Sequence, residues 1–271
     1  MVEFNSGGNL SEQKGGKLSE RYRLFAVLCK NTQGRKSTMK KFLVFFSLIV
    51  MIVMMTRAIE ASEILEAVKK GNIAKVKTLL SKNIKLIDER DKNKWTLLHW
   101  AAIGGYKEIA ELLISKGADV NAQNEFDETP LHWAVGRGPK IIDERKKDLV
   151  ELLISKGADI NAKDKFIATP LHYAVRCGNN EIAKLLILKG ADVNAKEKNG
   201  WTPLHWAITM AEYREGKKIV DLLINRGADV NARNIKGETP LKTTLKEMKR
   251  SSQKKIYEEI EHELRKHDAK E

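Results

Sequence analysis

The chain of 271 residues has only two cysteines, Cys29 and Cys177. Cys29 lies in a polar leading stretch, so the rest of the chain holds one thiol, and no internal disulfide can staple it. Cysteine usage is therefore silent about compartment. No G-x-S-x-G elbow, P-loop or dinucleotide-binding fingerprint occurs anywhere. The chain has one long apolar run and only five prolines, four of which directly follow a threonine. These absences exclude a disulfide-stapled mini-domain and a multi-span membrane protein. They leave no catalytic, cofactor-binding or metal-binding constellation to argue from.

What is present begins with charge. The formal net charge is +13, but it is unevenly spread. Residues 1–38 hold seven Lys/Arg against three Asp/Glu, residues 39–61 three against one, and residues 62–271 hold 39 against 32. Roughly half the excess thus lies outside the last segment. There the two signs are interspersed, the pattern of a solvated surface rather than of a polyanion-binding one.

The apolar run covers residues 42–55, with Ser47 its only polar member. Lys40 and Lys41 precede it and Arg57 follows. A membrane-spanning helix needs about 20 apolar residues, whereas roughly 10–14 is typical of the hydrophobic region of an export signal. Small residues suited to signal cleavage follow at Ala58 and Ala61. Residues 39–61 are therefore expected to be a cleaved signal peptide or an uncleaved signal-anchor helix. The signal sits behind a polar extension, residues 1–38, which is explained if translation starts at Met39. If it starts at Met1, six Lys/Arg in residues 22–41 against four in residues 56–75 keep the amino end in the cytoplasm. Both versions place the remainder outside the cytoplasm: periplasmic, extracellular, or anchored at the inner membrane.

The remainder repeats itself. Blocks of the type TPLHWA begin at Thr96 (TLLHWAA), Thr129, Thr169, Thr202 and Thr239 (TPLKTTL), with spacings of 33, 40, 33 and 37. A second block, GADVNA or GADINA, begins at Gly117, Gly157, Gly190 and Gly227. Each threonine suits a helix N-cap, and Pro130, Pro170, Pro203 and Pro240 suit the first turn, where no amide donor is required. Leu97 takes the proline position in the first block, which predicts a less rigid start. Leu131, Ala134 and Val135 form one apolar edge at helical spacing, and Ile109, Leu112 and Leu113 form another on the helix that follows. Gly105 and Gly178 break the chain between such helices, and the GAD glycines end the second one. Helix pairs this small bury their apolar faces only jointly, by stacking.

Five TPL-like starts and four GAD[VI]NA blocks resemble the ankyrin-repeat family. The resemblance covers about residues 60–269. It implies an all-α repeat solenoid of about six helix-turn-helix repeats with hairpin fingers beside a concave face. The repeats are 62–94 (an N-terminal cap), 95–127, 128–167, 168–200, 201–237 and 238–271 (a C-terminal cap), together one domain over 62–271. Gly200 and Gly237 stand where the finger turn requires positive φ. Lys94, Asp127 and Ile167 take that place elsewhere, and β-branched Ile167 predicts a finger that bends differently.

Among candidate chemistry, His99, His132, His172 and His205 recur with the period. Stacked repeats stand roughly 10 Å apart, too far for one ion with bonds of about 2 Å, and the resemblance implies structural histidines that bond within and between repeats. HELRKH at residues 262–267 departs from the zinc motif H-E-x-x-H, because His262 and His267 are about 140° apart around a helix. Cys177 has no partner motif. An enzyme is not expected.

The residues after the four histidines are Trp100, Trp133, Tyr173 and Trp206. They point about 160° away from the buried helix positions, toward the concave side. Finger positions add Trp95, Trp201, Phe126 and Phe166. Two readings stay open: anchors for a partner, or packing against the chain's own fingers. Insertions at 139–147 and 211–218 lengthen two inter-helix connections and are expected on one edge of the stack. The expected function is a non-catalytic scaffold for an unidentified protein partner. Membrane contact comes through residues 42–55 if the signal is uncleaved, with no nucleic acid or small-molecule substrate. The alternative is a binder of polyanions, such as anionic lipid, cell-wall polymer or nucleic acid, through basic loops and the basic window 242–255.

Overall fold

A computed structural model of the protein describes residues 36–136, 144–213 and 216–271, and twelve α-helices follow one another among these described residues. The extension up to residue 35, residues 137–143 of the first insertion and residues 214–215 of the second lie outside the described residues. The chain divides after Arg57 into two units. In the first, residues 36–57 are helical, and the apolar side chains from Leu43 to Met55 stand exposed where described. That helix, α1 (Lys36–Lys69), continues into the second unit, where Ile64, Ala67 and Val68 are buried in the repeat core.

The repeats are helix pairs: α2 (Ile73–Lys82) completes the first with the end of α1, followed by α3 (Leu97–Gly104) and α4 (Lys107–Ser115), α5 (Pro130–Ala134) and α6 (Glu144–Ser155), α7 (Pro170–Arg176) and α8 (Asn180–Leu188), α9 (Pro203–Thr209) and α10 (Gly216–Asn225), and α11 (Pro240–Arg250) and α12 (Lys254–Lys266). From the second pair on, the first helix of each packs on the first helix of the next, and second helices pack on second helices throughout. The predicted Leu and Ala edges are the core: Leu98, Ala101, Leu131, Ala134, Leu171, Leu204 and Leu241 are fully buried, as are Leu113, Leu153, Leu186 and Leu223 on the second helices. Burying each leucine stabilises the stack by roughly 1.5–3 kcal/mol. The core runs through every repeat, so no pair is a folding unit by itself.

The first helix of each of the four inner repeats starts on a threonine–histidine pair. His99, His132, His172 and His205 accept the backbone N–H of their threonine at Nδ1, 3.1 to 3.3 Å away. Leu97 in place of proline changes none of these bonds. The GAD glycines have positive φ, as expected of helix terminators. Asp268 copies that conformation in the last repeat, with φ 62°.

Among the described residues no strand forms; the fingers are tight turns. Their ends pair through backbone N–H to carbonyl bonds from Asp91 to Trp95, Asn124 to Glu128, Asp164 to Ala168, Glu197 to Trp201 and Asn234 to Glu238, at 3.0 to 3.1 Å. Ile167 was expected to bend its finger differently, and it does not. Its φ is 60°, against 61° at Lys94, 58° at Asp127, 74° at Gly200 and 69° at Gly237. The turn's hydrogen bonds and its neighbours impose the left-handed conformation, and the isoleucine bears the strain.

Candidate binding face

The finger turns are closed by side chains that sequence reasoning overlooked. Asp91, Asn124, Asp164 and Asn234 each accept two backbone N–H groups, two and four residues on, at 2.8 to 3.1 Å. The signal was legible, since an acidic or amide residue stands five positions before every threonine of the repeat. The fourth finger has Glu197 there. Its longer side chain accepts the Trp201 N–H at 3.3 Å and the Asn199 amide at 3.4 Å, with no bond to the Asn199 backbone N–H.

Successive repeats are joined three ways. The fingers bond to one another, as from Lys165 N–H to the Phe126 carbonyl (3.0 Å) and from Lys198 N–H to the Phe166 carbonyl (2.8 Å). Because Nδ1 accepts within its own repeat, each histidine carries its proton on Nε2 and donates it to the next finger. The acceptors are the carbonyls of Glu128, Ala168, Trp201 and Glu238, 2.9 to 3.2 Å away. The third join is the asparagine of GAD[VI]NA. Asn194 donates to the Gly227 carbonyl (3.0 Å) and accepts the Asp229 N–H (2.7 Å), and Asn121, Asn161 and Asn231 make the equivalent pair of bonds from their own repeats to the next.

Burial holds the four imidazoles neutral. Desolvation lowers the pKa of His99 to about 3 and that of His172 to about 4, and lowers those of His132 and His205 as well. These are structural histidines, as expected. Among the described residues no group of three or more His, Cys, Asp or Glu side chains could hold a metal ion. His262 is exposed on α12, and His267 lies 3.3 Å from Glu263 instead. The Cys177 thiol donates to the Gly136 carbonyl, 3.2 Å away.

The aromatic residues fall into two clusters and two finger tips. Trp95 packs on Trp100 and on Trp133, with ring centroids 5.0 and 4.3 Å apart. Trp133 Nε1 donates to Glu128 (3.1 Å), and Lys69 Nζ sits 4.5 Å over the Trp100 ring. Trp201 packs on Trp206 at 5.1 Å. These four-to-five-ångström contacts couple each finger to its own helix and, from Trp95 to Trp133, to the first helix of the next repeat, so the tryptophans are half-buried rather than displayed. Tyr173 is turned in further: it is 3% exposed, its hydroxyl bonds to Asp164, and it cannot present a free ring. Phe126 and Phe166 stand out at the finger tips, 43% and 50% exposed. Between fingers and first helices lie two pockets of about 330 and 340 Å³ that share Glu197, Asn199 and Trp206. Phe166, Tyr173 and Arg176 complete one; Trp201, Ile235 and Lys236 complete the other.

The family described as ankyrin repeats in three copies matches residues 64–164 and again 141–234, well over half of the chain. The chain belongs to the ankyrin-repeat family. An ankyrin repeat domain from Acinetobacter baumannii AYE superposes with a TM-score of 0.65 at 30% identity, covering 76% of this chain and 98% of that one. The palmitoyltransferase Hip14 of Drosophila melanogaster is 39% identical over 77 residues, 28% of this chain and 12% of its own length. The integrin-linked protein kinase homolog pat-4 of Caenorhabditis elegans is 42% identical over 64 residues, and the human NAD-capped RNA hydrolase NUDT12 40% over 73. These cover 24% and 27% of this ankyrin-repeat chain, and 14% and 16% of the relatives. The chain thus spans less than a fifth of each of these relatives, and the similarity to them is confined to repeats.

Proposed function

We propose that this ankyrin-repeat protein is a non-catalytic scaffold that binds a partner protein in the groove between its fingers and the first helices of its repeats. One observation carries the reading. Two adjacent pockets with aromatic walls open between the third and fifth fingers; the exposed ring of Phe166 lines one of them, and the exposed ring of Phe126 stands at the tip of the finger before. Pockets of this kind receive interface anchors. The test is capture from a native envelope fraction with Phe126→Ala plus Phe166→Ala. Both rings are half-exposed, so the double variant should keep its melting temperature while losing its partner. Retained capture removes the groove from consideration. Trp133 and Trp206 are poorer probes, because each also packs against a finger.

We further infer that the protein is exported across a membrane or held in it by α1. Support comes from residues 45–69, a helical stretch long and apolar enough to span by length and composition. The first fully buried core residue, Ile64, lies beyond both Ala58 and Ala61, so cleavage at either leaves the repeat core whole. A reporter fused after Glu271 that is active only in the cytoplasm would overturn this placement. Amino-terminal sequencing of the cellular protein separates a start at Met39, a cleaved signal and an intact anchor.

A further inference from the structure

The outward surface of the last three fingers carries one sign of charge. Lys163, Lys165, Lys196, Lys198 and Lys236 are exposed, and among the described residues none forms an ion pair. The carboxylates of these fingers are turned inward or paired. Asp164 and Glu197 bond to their own turns, and Glu238 holds Lys246 at 3.2 Å. The second finger is the reverse: Glu125 and Asp127 are half-buried on it, Glu128 is buried against Asn124 and Trp133, and no basic residue occurs from 123 to 128. Charge therefore changes sign between the second and third fingers.

Arg176 adds a cation inside the groove. Its guanidinium lies over the rings of Tyr173 (4.9 Å) and Trp206 (5.8 Å), at the first of the two pockets. Held by its face, it leaves its N–H edge for a carboxylate, which it can grip in bidentate fashion. The pockets themselves are at the small end of ligand-pocket sizes, roughly 300–1,000 Å³, and fit single side chains. The mostly covered Glu197 carboxylate lines both, so they disfavour an acidic side chain inside and favour an apolar one.

We propose that the groove from the third to the fifth finger binds an extended acidic segment of a partner protein, its carboxylates on Arg176 and the finger lysines and its apolar side chains in the two pockets. This rests on the scaffold reading above. Neighbouring fingers stand about 10 Å apart, so the span is about 20 Å, or roughly six extended residues. The acidic second finger repels such a segment and limits it to the carboxyl-terminal half of the row.

The test uses the full chain in neutral detergent, panned against a random library of 12-residue peptides. Enriched peptides should carry net negative charge and at least two large apolar residues. Lys165→Glu with Lys198→Glu should weaken the best peptide at least tenfold, and the milder pair Lys165→Gln with Lys198→Gln about threefold. Lys92→Glu with Lys94→Glu, on the first finger, should change affinity less than twofold. Enriched peptides that are neutral or basic, or that ignore the reversal at Lys165 and Lys198, overturn the acidic-segment assignment while leaving the scaffold reading intact. A 12-residue polyglutamate or single-stranded DNA that binds as tightly as the enriched peptides also overturns it, in favour of a polyanion surface. Failure to enrich any peptide overturns both the assignment and the groove as a peptide site.

Discussion

The Nε2 of His99 lies 2.9 Å from the backbone carbonyl of Glu128, in the finger of the following repeat. Nδ1 at the same time accepts the Thr96 N–H, so the two bonds together require an imidazole that is neutral and protonated on Nε2. The same holds at His132, His172 and His205.

Acid should therefore loosen the stack. Each folded-state pKa is lowered, so below about 6.5 the unfolded chain binds protons that the folded chain refuses. The stability is fully present above about pH 6.5 and is lost as pH falls toward the folded values, about 3 for His99 and about 4 for His172. The slope is at most about 1.4 kcal/mol per histidine per pH unit. Urea melts at pH 7.5 and pH 5.5 should show a clearly lower midpoint in acid, and His99→Gln with His172→Gln should flatten the difference. Equal midpoints for the unsubstituted protein contradict the neutral-histidine assignment.

Ile167→Gly should stabilise the third finger. A left-handed residue with a β-carbon costs about 1–2 kcal/mol, while glycine's extra freedom in the unfolded chain returns about 0.5–1 kcal/mol of that. A net gain of about 0.5 kcal/mol is expected in thermal or urea unfolding.

Gly200→Ala should do the opposite. Its φ is +74°, and an added β-carbon would lie 3.0 Å from the Asn234 Cα, a backbone atom of the next finger that cannot swing aside. A loss of about 1–2 kcal/mol is expected, and one below the error of a urea melt argues against close finger packing.

Asn194→Ala removes the two bonds by which this side chain joins the fourth repeat to the fifth. A cost of about 1–2 kcal/mol is expected for two partly exposed hydrogen bonds. Asn194→Asp keeps the acceptor and loses the donor, so it should fall between.

Glu197→Asp should tighten the fourth finger, because the shorter side chain reaches both N–H groups as Asp164 does. The expected gain is about 0.5–1 kcal/mol, with slower amide exchange at Asn199 and Trp201 as the local readout.

Much of this was legible in residues. The threonine caps, glycine terminators and Leu/Ala edges are short-range patterns, repeated four or five times, and a pattern repeated that often is hard to mistake. The asparagine staples and the row that closes the fingers repeat just as faithfully, yet they escaped notice. Their partners lie two to four residues away within a finger, or a whole repeat away across the stack. Ile167 was misjudged because local preference predicts a different turn, whereas the bonds on either side of it outweigh that preference. The aromatic residues were read as one stripe, without the contacts that divide them.

The sequence by itself determined the helix pairs, their number, their stacking order and the identity of the buried face, because period and capping chemistry act within one repeat. Only the tertiary structure decided which aromatic rings are spent on the chain's own fingers and which carboxylates are turned inward. It also showed that the third to fifth fingers present lysine while the second presents acid. Those outcomes depend on distances between residues of different repeats, and linear spacing carries no record of them.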